Sequence, residues 1–154
     1  MSNKNKTYLS LLTGVMEKKE ALLKLLILET IKQSNCFQKE ELLEDEYDEI
    51  YQKKMDLIGD VEKLDEGFET LYQHVKEEIK ENPYVYEQEI RTLQNQIRSI
   101  TDKTIRLQKL ESDNKVKFEL YLHNQRNQVK ELKISKKTAA TYYKNMMQQF
   151  SKQT

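Results

Sequence analysis

An all-α fold is what this sequence predicts, and three observations predict it. Glycine occurs three times and proline once in 154 residues. The abundant residues Glu, Lys, Leu and Gln are good helix formers, whereas sheets and tight turns need more Gly, Pro and Asn than this chain holds. Apolar residues also recur at alternating steps of three and four along most of the chain, the spacing of one helix face. With 37% apolar and 34% charged residues, a compact globule is poorly supplied, while long helices need only a narrow apolar stripe each. The expected architecture is therefore an elongated antiparallel helical hairpin or three-helix bundle with coiled-coil packing, followed by a C-terminal amphipathic helix. The length suits one domain, read as a bundle over residues 1–135 and a distinct segment over 136–154.

The first helix is expected over about 7–33. Tyr8, Leu12, Val15, Leu22 and Leu26 form one face, and the denser run Leu22–Leu28 predicts contact with neighbours on more than one side. Ser34, Asn35 and Cys36 then interrupt the pattern and read as a break. The strongest signal follows over about 40–81, where Leu43, Tyr47, Ile50, Lys54, Leu57, Val61, Leu64, Phe68, Leu71, Val75 and Ile79 keep a heptad rhythm with one polar exception, Lys54. Tyr51, Ile58 and Tyr72 widen the stripe, and Phe68 is expected to be buried. Gly59 and Gly67 lie inside this stretch, either as sites of bending or close approach or as tolerated surface glycines. Asn82 and Pro83 mark a reversal, with Asn82 as an N-cap and Pro83 in the first turn of a third helix over about 83–133. That helix carries Tyr86, Ile90, Leu93, Ile97, Ile100, Thr104, Leu107, Phe118, Leu122, Val129 and Leu132 at the same spacing. Its polar positions Glu111, Asn114 and Gln125 are read as a part where coverage by neighbours falls off. The tail regains an apolar stripe at Ala139, Tyr142 or Tyr143, Met146 and Phe150, flanked by Met147. Such a stripe serves either to dock a partner or to pack back on the bundle.

Chemistry is conspicuous by its missing parts. Three glycines in separate contexts form no phosphate-binding or dinucleotide loop, and no nucleophile motif occurs. His74 and His123 stand apart, and the lone Cys36 offers neither a disulfide nor a metal cluster. The carboxylates from Glu40 to Glu49 read as a solvated helix face. No enzyme, cofactor or metal site is expected. The basic N-terminus is followed by too short an apolar stretch for a signal peptide, and no stretch is long enough to span a membrane; a cytoplasmic location is expected.

The chain carries 26 basic and 26 acidic residues, but unevenly. Residues 37–82 hold 6 basic and 16 acidic side chains, and residues 103–154 hold 12 basic and 4 acidic. Antiparallel packing would set these blocks side by side and neutralise them in part. A nucleic-acid surface is the alternative reading of the basic third and is not the one preferred, since it requires positive charge left unpaired.

The segment from Lys53 through Phe68, followed by Tyr72 and Val75, then Tyr86–Ile105, and the tail residues Ile134, Ser135, Ala139, Ala140, Tyr142, Tyr143 and Met146 together resemble the flagellar export chaperones of the FlgN type. The similarity spans about residues 43–147, and the FliT-type chaperones share its size and helical build. The resemblance implies a non-enzymatic adaptor of type III export. It would bind the C-terminal helical regions of secreted hook-filament junction proteins, prevent their premature assembly and bring them to the export machinery. It also implies that client contacts fall on the tail, at Ala139, Tyr142, Tyr143, Met146, Met147 and Phe150. A structural coiled-coil tether or export-apparatus rod is the rival class, and a homo-oligomer is compatible with both.

Overall fold

The computed structural model describes residues 7–39, 41–126, 141 and 143–148. Among these the fold is all-α, without a strand, and comprises α1 (Tyr8–Cys36), α2 (Glu44–Asp65), α3 (Phe68–Glu81) and α4 (Glu87–Arg126), with residues 143–148 also helical.

α1 is the element against which the other three pack. Its hydrogen-bond partners on α4 lie 79 to 84 positions later all along its length, from Thr13 with Gln96 to Ser34 with Lys117. A constant separation means that the two helices run parallel. Toward the α2–α3 arm the separation instead falls from 70 at Tyr8 and Glu78, through 46 at Lys19 and Asp65, to 21 at Gln33 and Lys54. The arm therefore runs antiparallel to α1, and the chain reverses between α3 and α4, as Asn82 and Pro83 predict.

The ends of the elements show where local signals prevail. Thr7 caps α1 by accepting from the Ser10 amide at 2.9 Å, and the Glu78 carboxylate of α3 accepts from the Tyr8 and Leu9 amides at 3.1 and 2.9 Å. One side-chain cap and one tertiary cap thus serve amides that no helical carbonyl can reach. At the other end, the expected break at Ser34–Cys36 is absent. The helix continues to Cys36, which is 2% exposed, while Ser34 receives a hydrogen bond from Lys117; these tertiary contacts outweigh weak local propensity. α2 begins at Glu44, later than expected, with Glu44, Asp45 and Glu46 in its first turn where the helix dipole favours acids.

The helix expected to run unbroken to residue 81 is interrupted. Glu66 leaves the helical region with ψ 134°, and Gly67 adopts φ 73°, ψ −3° as the N-cap of α3. Glycine enters this left-handed conformation without the Cβ clash that burdens other residues. Asn82 also differs from its expected role. It is the C-cap of α3, and residues 83–86 form a turn before α4 starts at Glu87.

The buried core runs through all four helices. On α1 it comprises Leu9, Leu12, Met16, Leu23, Leu26 and Ile27, a face turned by about one position from the expected one, so that Tyr8 is exposed. Leu25 and Leu28 are exposed too, while α1 meets α2, α3 and α4. On α4 the expected positions Leu93, Ile100, Thr104, Leu107, Phe118 and Leu122 are buried, whereas Ile97 is 46% exposed. Phe68 is only half-buried.

Candidate docking site

The end of the molecule where α1 stops and α2 begins gathers side chains from α1, α2, α4 and the tail. Phe37, just beyond α1, meets Tyr47 of α2 edge-on at 5.8 Å between ring centroids and Phe118 of α4 at 6.1 Å. Tyr47 and Phe118 lie 5.6 Å apart, and Tyr121 completes the group at 6.5 Å from Phe118. Edge-on and tilted arrangements of this kind place the positive rim of one ring on the negative face of the next.

Into this group comes the tail. Tyr143 is 2% exposed and stands edge-on to Phe118 with centroids 6.5 Å apart, and Met146 is 1% exposed. Met147 is half-buried. Ala139, Tyr142 and Phe150, the other expected contact residues, lie outside the described residues. At Tyr143 and Met146 the stripe therefore packs back on the bundle and joins its buried core.

Behind the rings lies a polar cluster that the sequence pattern concealed. Lys54 Nζ donates to Gln33 Oε1 at 2.8 Å and to Glu111 Oε1, and both charged side chains are fully buried. Thr30 Oγ1 stands 3.0 Å from the same Glu111 oxygen, and Asn114 Nδ2 donates to the Thr30 carbonyl at 3.0 Å. Reduced coverage at Glu111 and Asn114 is thus overturned: both are fully buried, because α1 and α2 supply polar partners for them. The cluster borders the tail at the tyrosine hydroxyls, since the Tyr47 phenol interacts electrostatically with Gln33 and Tyr143. Burial raises both phenols well above their ordinary value. Burial likewise pulls the Lys54 amine down, against the opposing attraction of Glu111.

This chemistry is structural in kind. The Lys54–Glu111 pair has no opening to a substrate in the described geometry, and burial also raises the Cys36 thiol, which favours its unreactive form. Among the described residues no group of His, Cys, Asp and Glu could hold a metal ion, and no helix is long and apolar enough to cross a membrane. His74 stacks on Tyr8 at 4.3 Å, while His123 is exposed. The Lys54–Glu111 pair joins the two charge blocks with the lysine coming from the acidic one. Aromatic side chains at helical spacing could have indicated this end as a meeting point. The polar partnership lacked such a signal, because its members lie 21 to 84 positions apart. Comparison with known proteins adds no relative: no family model, curated protein or solved structure matches the chain.

Proposed function

We propose that this chain is a non-enzymatic cytoplasmic chaperone of flagellar type III export, of the FlgN type, built as an elongated bundle with coiled-coil packing. It would hold the C-terminal helices of hook-filament junction proteins through Ala139, Tyr142, Tyr143, Met146, Met147 and Phe150. The observation that supports this most is the aromatic seat itself. Tyr143 and Met146 occupy apolar positions prepared by α2 and α4, so the chain carries a helical stripe suited to an apolar partner and a place to store it. Stored in the seat, the anchors are kept from water; released, they would offer a client helix the adaptable surface that Met and Tyr provide. Binding of this kind needs no chemistry to reverse it.

The burial of Tyr143 and Met146 also favours a second reading, a structural tether in which the stripe serves only the bundle. Calorimetric titration against the C-terminal fragment of a junction protein separates the two. Met147→Ala, at the half-buried edge of the seat, should weaken binding by about 1 kcal/mol or more if Met147 is an anchor, with thermal midpoint unchanged. No saturable binding by the parent chain would leave the tether reading and end the chaperone one.

A further inference from the structure

We propose a second interaction surface, a groove at the α2–α3 break that docks a basic amphipathic helix from a partner protein. This groove shares no lining residue with the tail seat.

The groove follows from the interruption at Gly67. Where the arm breaks, it leaves a cavity of about 770 Å³ bounded by α1, α2, α3 and α4, within the size range of ligand sites. Phe68 and Tyr72 stack at 5.9 Å on one wall, and Ile97 and Ile100 form the other over a floor that includes Met16. Ile97 is the one residue of the α4 stripe between Leu93 and Leu122 left exposed. Apolar side chains that heptad spacing assigns to a contact thus stand open here, ready for the apolar face of another helix.

Charge selects among occupants. Glu62, Asp65, Glu66 and Glu69 line the cavity with Lys19 as the one basic lining residue, and Lys19 is already paired with Asp65 at 2.9 Å. Among the described residues no cation pairs with Glu62, Glu66 or Glu69. Tyr72 carries the Lys76 amine at 5.1 Å on its ring, so arriving cations are drawn to the carboxylates instead. An apolar floor under an acidic rim fits a helix with leucine-like anchors flanked by lysine or arginine, and it repels an acidic one.

The test uses the full chain and a fluorescent synthetic peptide, an amphipathic helix of leucine and lysine, with a leucine and glutamate peptide as its counterpart. The lysine peptide should bind saturably, more weakly at higher salt, and the glutamate peptide should not. The double substitution Glu62→Lys and Glu69→Lys, and separately Ile97→Asp, should each weaken binding on the order of tenfold. A control reversing exposed Glu49 and Glu119 should leave it unchanged. Circular dichroism checks that each variant folds. No saturable binding, equal loss in the control, or concentration-dependent self-association that competes with the peptide would overturn the proposal, the last by making a second copy the occupant.

Discussion

Two regions of this molecule share one helical rhythm and differ in how completely it is satisfied. At the aromatic end, Phe37, Tyr47, Phe118 and Tyr143 fill the space between four segments, and even the charged Lys54 and Glu111 are wholly enclosed. Midway along the molecule, where the arm breaks, Phe68 is half-buried, Ile97 is exposed and a groove remains. A heptad pattern therefore specifies which side chains are available for burial, while the number of neighbouring segments decides which are buried. The region that receives an additional segment closes, and the region where the arm is interrupted stays open.

The sharpest way to break this comparison is to remove one member of the enclosed ion pair. Glu111→Ala would leave Lys54 buried beside Gln33 without its carboxylate, and should destabilise by about 3 to 5 kcal/mol. The double variant Lys54→Met with Glu111→Leu should recover most of that loss, since an apolar pair of similar volume avoids the cost of desolvating charge. Guanidinium unfolding of the three chains measures both. A small effect of the single substitution would show that water reaches the cluster, and that the two regions differ less than described.

Tyr143 offers a pH test of the same closure. Its phenol is raised by burial above the ordinary value of 10.0, as is that of Tyr47. A raised folded-state value makes its contribution fully present below pH 10. Above that the unfolded chain loses the proton first, so stability falls, by up to about 1.4 kcal/mol for each pH unit and each group. Tyr143→Phe should flatten the fall in unfolding free energy between about pH 10 and 11. An unaltered slope would mean that Tyr143 does not reside in the seat.

Much of this was legible beforehand, and particular residues show why the remainder was not. On α4, Leu93, Ile100, Leu107, Phe118 and Leu122 are buried where the spacing places them, because a straight helix returns every third or fourth residue to one face. On α1, leucine and isoleucine occupy several faces, so the choice of Leu9 and Leu23 over Tyr8 and Leu22 was left to the partners. Glu111 and Asn114 read as gaps because a polar residue at a core position shows its cost locally and its compensation only in space. The tail stripe pointed to a contact, but its spacing had no means of separating a client from the bundle's own α2 and α4. Gly59 and Gly67 carry the same signal, a bend or a tolerated glycine, and differ only in space, since α2 continues unbroken through Gly59 and ends at Asp65.

These two glycines supply the finest test. A Cβ at Gly67 meets nothing within 4 Å, but φ is 73°, so Gly67→Ala should cost about 1 to 2 kcal/mol from backbone conformation alone. At Gly59 a Cβ also meets nothing within 4 Å, and the residue lies inside α2 with no left-handed φ. Gly59→Ala should therefore stabilise the chain by about 0.5 to 1 kcal/mol, since alanine restricts the unfolded chain and suits the helix better. Opposite signs at two positions with equal room would assign the difference to the break itself. Thermal unfolding of both variants, checked for unchanged helicity, reads the signs directly. Stabilisation at both sites would mean that α2 and α3 can join through residue 67 into the continuous helix that the heptads describe, which would close the groove at the break.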